Sequence, residues 1–445
     1  MAMLFSVASG WSLWTNSEIW NYGNTAYRIK VGDVRRDGHQ RIYCGTRNGS
    51  VNELSFEQGS WVNRVLDVLP AEVYDVTIAN GRNDTLSRLY LPVLNGHLYE
   101  LSYEGGIWLR RDMGSGSGRM NQVAFGYGRN DTIQRGYATN TDGHVYEFTW
   151  EQGAWRQADL GNIGGWMIDV AVGITAHNNR WHVYSSSQNG GIYELTYDSG
   201  WSSSLVDQIG GAPWGMEIGT RSFLDTFDLP LYVTSETERD VWAYCWTVSG
   251  WQKTSIGHPG QSTLYGSDIA LGDGRNDWVE RVYQINKDAH TYEFSYEGGQ
   301  WQTDDLGDGG YGWATGITVG RGRDDSLYHV YACFPDGRVT EYTYTTGVSE
   351  EPGFGPHFNQ SRLEAFPNPF RDNLAIRLVP TPIRIAPLEI FDSRGVLVRR
   401  IESTKERTIS HWDGRDKDGR FLPGGVYFVR MRGYDIPSVK VVKVR

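Results

Sequence analysis

Gly143-His144-Val145-Tyr146-Glu147-Phe148-Thr149-Trp150-Glu151-Gln152-Gly153-Ala154-Trp155 is a near-alternation of apolar and polar residues that folds back at Gln152-Gly153. Alternation bounded by Asp142-Gly143 on one side and Gln152-Gly153 on the other reads as a strand inside a chain of hairpins. Upstream, Val123-Ala124-Phe125 and Gln134-Arg135-Gly136-Tyr137-Ala138 supply two earlier strands, and Ala154-Trp155-Arg156 opens a fourth. The same segment recurs with its last residue at Trp61, Trp108, Trp201, Trp251 and Trp301, at spacings of 46 to 50 residues. That period is the length of one four-stranded propeller blade. A seventh copy ends at Gly347 without its Trp, while Phe5-Ser6-Val7-Ala8-Ser9-Gly10-Trp11 reads as the end of a repeat whose beginning is missing. The expectation is therefore an all-β, seven-bladed β-propeller over residues 1–348, closed by its N-terminal strand.

Composition agrees with strands and tight turns. Trp (18), Tyr (26) and Gly (55) are abundant in the 445 residues, and no stretch sustains apolar recurrence at helical spacing. A net charge of −11 argues against nucleic acid and against an anionic membrane surface as partners. Cys44, Cys245 and Cys333 lie far apart, match no metal-ligand spacing and give no disulfide framework. No run approaches a membrane span. The opening Met1-Ala2-Met3-Leu4-Phe5 lacks the features of a signal peptide, so an exported protein would be met here in its mature form. No cofactor is expected, because no Gly-rich phosphate loop opens a helix.

Glu350-Glu351-Pro352-Gly353-Phe354-Gly355-Pro356 breaks the repeat, placing a linker at 349–361. The last 85 or so residues shift to Arg, Val and Ile and carry an excess of positive charge. Leu374-Ala375-Ile376-Arg377-Leu378 and Leu388-Glu389-Ile390-Phe391 alternate like strands of a small β-sandwich over 362–445. Phe366-Pro367-Asn368-Pro369-Phe370, Ile390-Phe391-Asp392-Ser393-Arg394-Gly395, Trp412-Asp413-Gly414-Arg415-Asp416 and Leu422-Pro423-Gly424-Gly425-Val426-Tyr427 then follow in order. With the terminal Lys440-Val441-Val442-Lys443-Val444-Arg445, they resemble the type A C-terminal sorting domain of type IX secretion. That family is related to the immunoglobulin-like domain of flagellar hook-cap proteins. The resemblance implies the type IX secretion machinery as a partner, and a secreted or bacterial cell-surface protein.

The repeat also carries polar residues at fixed offsets. Arg41 precedes Glu53 by the twelve positions that separate Arg88 from Glu100, Arg135 from Glu147 and Arg281 from Glu293. A hairpin is expected to place each Arg on the second strand opposite its Glu on the third, on one face. Three residues past the Glu comes an aromatic, as in Tyr103, Trp150, Tyr197, Tyr296 and Tyr344, on the other face. Each blade thus turns Arg and Glu towards the two aromatics of the next. A guanidinium and a carboxylate can hold adjacent hydroxyls, and an indole offers a flat surface to a sugar ring.

Arg281-Val282-Tyr283, Glu293-Phe294-Ser295-Tyr296 and Trp301 show the pattern in full, and it resembles the fucose-specific lectins of the fungal fruiting-body type. The resemblance implies glycans, fucosylated or similar, as ligands held between blades. Three pockets are complete on this reading: Arg41 and Glu53 with Tyr103 and Trp108; Arg88 and Glu100 with Trp150 and Trp155; Arg135 and Glu147 with Tyr197 and Trp201. A fourth joins Arg281 and Glu293 to Tyr344 and needs Trp11 from the closing strand. His182 and His329 replace the Arg in blades four and seven, while Pro230 and Trp242 leave blade five without a site. That family usually closes six blades, so a seventh widens the ring.

Two other readings stand beside this one. The Arg and Glu can be cross-strand ion pairs of a structural or adhesive surface protein that binds proteins or itself. A catalytic role has little support, since no blade carries an acidic pair that its siblings lack. The recurring turn Gly81-Arg82-Asn83-Asp84, with copies at 128–131, 274–277 and 322–325, reads as a plain Asn/Asp/Gly turn. Its arginines work against calcium, and no metal is expected.

Overall fold

The structure is a computed structural model. It describes residues 14–345 except 176–179, 221–228, 239, 260–265, 278, 311–314 and 324, and residues 362–444 except 367–369, 372, 380–386, 393–395, 402–408, 418 and 432–438. The chain divides into two compact units, Met1–Val348 and Ser349–Arg445. The linker at 349–361 and Trp11 lie outside the described residues.

Among the described residues every regular element is a strand. In the first unit the strands form seven four-stranded antiparallel sheets. Six are built from consecutive strands, at 26–68, 77–115, 120–162, 167–208, 216–257 and 266–308. The third is representative: Met120–Gly126, Arg135–Asn140, His144–Glu151 and Ala154–Asn162 pair in that order. The seventh takes Gly316–Gly320, His329–Cys333 and Arg338–Tyr344 from the end of the unit and its outer strand, Trp14–Asn21, from the beginning. First strands of successive sheets touch, and that of the seventh sheet touches that of the first.

Between sheets the packing repeats. A buried Tyr of each second strand meets the repeat Trp of the next sheet edge-on: Tyr43 with Trp108, Tyr90 with Trp155, Tyr137 with Trp201, Tyr184 with Trp251 and Tyr232 with Trp301. Tyr331 of the seventh sheet meets Trp61 of the first in the same way, at 6.1 Å. Edge-to-face contacts of this kind add stability beyond the area they bury. At that seam Cys44 and Cys333 share one buried cluster with Ile29, Ile42 and Val339.

The closing strand corrects one sequence expectation. Trp14, not Trp11, stands opposite Tyr344, and it packs on Tyr344 at 5.2 Å and on Tyr283 at 6.2 Å. The two indoles are three residues apart, and strand register, set by pairing with Arg338–Tyr344, selects between them.

Acidic groups gather near the first strands. Arg28 pairs with Asp268 and donates to the Trp214 carbonyl at 3.0 Å. Asp75, Asp169 and Glu217 face the same region with Lys30. Burial pushes Asp169 up to about 7, against the pull of Arg28 and of the Met216 and Val170 N–H groups. An unfolded Asp titrates near 4. Between about 4 and 7 the unfolded chain has therefore released a proton that folded Asp169 keeps, so stability falls as pH rises through that window. Asp169→Asn is expected to flatten this fall, read from urea midpoints at several pH values. The slope should not vanish, because burial also raises Asp75 and Glu217. An unchanged slope would mean that Asp169 is charged throughout.

The second unit holds a three-stranded sheet (Arg362–Phe366, Leu374–Val379, Ile409–Trp412) and a four-stranded one. The latter runs Leu397–Ile401, Leu388–Asp392, Gly425–Met431, Val439–Lys443. Both sheets contribute to one apolar core, in which Trp412 packs between Phe370 and Tyr427.

Candidate functional site

Each third strand presents its Glu to the next sheet from a fully buried position, with the side chains of Glu53, Glu100, Glu147, Glu293 and Glu341 0–1% exposed. Opposite the Glu in register stands the second-strand Tyr, as in Tyr43↔Glu53, Tyr90↔Glu100 and Tyr137↔Glu147. The Arg expected opposite lies two residues away, on the same face. The Tyr hydroxyl donates to the carboxylate, at 2.7 Å from Tyr283 to Glu293 and 3.1 Å from Tyr331 to Glu341.

The second-strand arginines are engaged elsewhere. Arg41, Arg88, Arg135 and Arg281 each grip the Asp four residues earlier through both terminal nitrogens, at 2.6–2.9 Å. These hydrogen bonds hold the Asp37 carboxyl down at about 2. Arg41, Arg135 and Arg281 approach their Glu only through Nε, at 3.8, 4.0 and 3.7 Å, beyond hydrogen-bonding distance. The Nε atoms of Arg88, Arg135 and Arg281 are buried without a hydrogen-bond partner.

A different arginine holds the Glu. Arg35 donates Nε and Nη2 to the two carboxylate oxygens of Glu53 at 2.8 and 2.7 Å. Arg82 does the same to Glu100, Arg129 to Glu147 and Arg323 to Glu341, while Arg275 bonds Glu293. These bidentate pairs are the strongest geometry a guanidinium and a carboxylate can form. Beyond its Glu, each of these arginines lies over an aromatic ring of the next sheet. Arg35 covers Tyr103 at 4.9 Å, Arg82 Trp150 at 4.4 Å, Arg129 Tyr197 at 4.8 Å, Arg275 Tyr344 at 5.1 Å and Arg323 Phe56 at 5.2 Å.

All five come from the turn before the second strand, and every residue of that turn has a task. A Cβ on Gly81 would lie 2.4 Å from the Phe125 ring, and one on Gly128 2.7 Å from the Tyr137 hydroxyl. Asn83, Asn130 and Asn276 take left-handed φ of 57–60°, which Asn tolerates better than most residues. Their amides clasp the next sheet through Gln134, Trp181 and Tyr328, each accepting an N–H and donating to a carbonyl. The Asp is the one gripped by the strand Arg. The reading as a plain turn missed the turn arginine, although it precedes the Glu by eighteen positions in all five repeats.

The structure thus brings together Arg41, Glu53, Tyr103 and Trp108; Arg88, Glu100, Trp150 and Trp155; and Arg135, Glu147, Tyr197 and Trp201, with the turn arginine between the charged and the aromatic halves. The aromatic pairs stand 5.2–5.5 Å apart. Arg281, Glu293 and Tyr344 gather likewise, with Trp14 in the place expected for Trp11. In the fourth sheet Glu194 accepts from Tyr184 at 2.8 Å, has His182 at 3.5 Å, and is 13% exposed. In the fifth, Lys253 lies 4.0 Å over the ring of Trp242.

Repeated antiparallel sheets that carry buried ionic groups on one face and aromatics on the other define a propeller-like protein with a constellation between sheets. The chain belongs to the fungal fucose-specific lectin family, whose model matches residues 25–273. The match spans the first three constellations and ends before Arg281. No curated protein matches the sequence. Among solved structures the WD40 β-propeller domain of Doa1 is similar at 10% identity, over 74% of this chain and 96% of that one, with a TM-score of 0.53. At that identity the likeness shows the fold alone. PorZ, described as an essential surface component of the type-IX secretion system of Porphyromonas gingivalis, aligns at 14% identity with a TM-score of 0.49. The alignment covers 95% of this chain and 60% of the PorZ chain, so this chain spans about three fifths of its length.

Proposed function

We propose that this protein is a cell-surface or secreted lectin-like propeller that binds fucose or a similar neutral sugar between its sheets and has no catalytic role. The observation that carries the proposal is the repeated buried Arg–Glu pair facing an aromatic pair, in a chain of a fucose-lectin family. A sugar would set adjacent hydroxyls on Glu147 and on the unpartnered Nε of Arg135, and its apolar face on Tyr197 and Trp201. Contacts between the first strands of the seventh and first sheets support a closed seven-bladed ring. Several weak sites on one ring would gain affinity for clustered glycans.

The order of motifs from Phe366 to Arg445 supports an immunoglobulin-like sorting domain that engages the type IX secretion machinery. Removing residues 349–445 is expected to leave the protein inside the cell that makes it. Retained surface display would refute the sorting role.

Calorimetric titration of the full chain with L-fucose, galactose and mannose tests the lectin reading. Saturable heat at millimolar sugar, reduced by one site in Arg135→Ala, is the expected result. No heat with any of the three sugars would favour the rival, a structural or adhesive surface protein. The observation behind that rival is specific, since the turn arginines already satisfy the carboxylates.

A further inference from the structure

We propose that Arg35, Arg82, Arg129, Arg275 and Arg323 are internal ligands that close the pockets between sheets, so that a sugar enters only where its arginine swings out. The identity of the incoming sugar rests on the lectin reading above, but the closure does not.

Each turn guanidinium makes the two kinds of contact that the sugar would need. It places paired N–H donors on the carboxylate and a flat face against the ring of the next sheet. Both occupants cannot use Glu147 and Tyr197 at once. A second observation marks the place as a binding site rather than filled core. The Nε atoms of Arg88, Arg135 and Arg281 are buried without a partner beside it, so the pocket holds one donor more than its occupant uses. Orphaned donors of this kind are rare in native proteins and call for an explanation.

The closure also varies along the ring. Side-chain exposure rises from 13% at Arg82 and 15% at Arg275 to 30% at Arg129 and 35% at Arg323. In the fourth repeat the residue eighteen positions before Glu194 is Ala176, and Glu194 is the most exposed carboxylate of the series. A pocket that is closed most of the time lowers the apparent affinity for its ligand by the fraction of time it is open. Removing the arginine lifts that penalty at one pocket and leaves the others unchanged. Arg129 suits the test, because Arg135 remains close to Glu147 as a countercharge.

The full chain and its Arg129→Ala variant would be titrated with 1-methylguanidinium and, separately, with L-fucose, and read by melting temperature and calorimetry. Methylguanidinium is expected to raise the melting temperature of the variant saturably and to leave the original protein unchanged. L-Fucose is expected to bind the variant at one site at least tenfold more tightly. Methylguanidinium rescue with no gain in fucose binding would uphold the closure and defeat the sugar reading. A variant that melts cooperatively but responds to neither compound would overturn the closure. Should Arg129→Ala not fold, Arg323→Ala serves the same purpose, since Arg323 is the most exposed of the five and Tyr331 also bonds Glu341.

Discussion

Glu100→Ala is expected to lower the unfolding free energy of the propeller unit by about 3–5 kcal/mol, the range for breaking a buried ion pair from one side. Glu100 is fully buried, accepts two hydrogen bonds from Arg82, and has the Tyr90 hydroxyl at 3.4 Å. Its loss leaves Arg82 with Glu104 at 3.5 Å as its nearest anion, while Arg88 keeps Asp84. The cost comes mainly from stranding a cation that water cannot reach. The double variant Arg82→Met with Glu100→Leu should therefore unfold much closer to the parent, since it removes both charges and keeps the volume. Urea unfolding followed by Trp fluorescence separates the two outcomes. If the single and double variants unfolded alike, the volume of the side chains, and not the uncompensated charge, would set the loss.

Deleting residues 1–21 is expected to abolish the cooperative monomeric fold. The deletion removes the outer strand of the seventh sheet, which pairs with Arg338–Tyr344 and anchors to the sixth sheet through Asn16 and the Asp308 carbonyl at 2.9 Å. It also removes Trp14 from a cluster containing Tyr283, Ile317 and Tyr342. Truncating a buried Trp alone costs about 3–5 kcal/mol. Here the loss is joined by a bare strand edge, which pairs readily with other chains. Size-exclusion chromatography should show dimers or aggregates in place of a monomer. A truncated protein that stayed monomeric with an unchanged melt would show that the N-terminal strand is dispensable for the fold.

What the sequence by itself determined was local and periodic. Turn signals at Asp142-Gly143 and Gln152-Gly153, with alternation between them, were enough to draw the hairpins. The Glu, the aromatic three residues on and the repeat Trp recur in the same order, so the two faces of each sheet could be assigned from strand geometry. The incomplete repeat at the N-terminus was enough to predict that a first strand would complete a last sheet, as Trp14–Asn21 does.

Tertiary structure decided which group meets which. Two arginines precede each Glu at regular offsets, twelve and eighteen, and the offsets alone do not rank them. The nearer one sits on the adjacent strand, yet it is drawn off by an Asp four residues before it, while the farther one reaches the carboxylate from a turn. That reach depends on a left-handed Asn, a Gly pressed against the neighbouring sheet and an amide clasp to the next repeat. Trp14 displaced Trp11 for a related reason, because strand register is set by the partner strand and not by the strand itself. A repeat encodes its own hairpins, whereas the occupant of the space between two repeats is set by side chains that meet only when the sheets are packed.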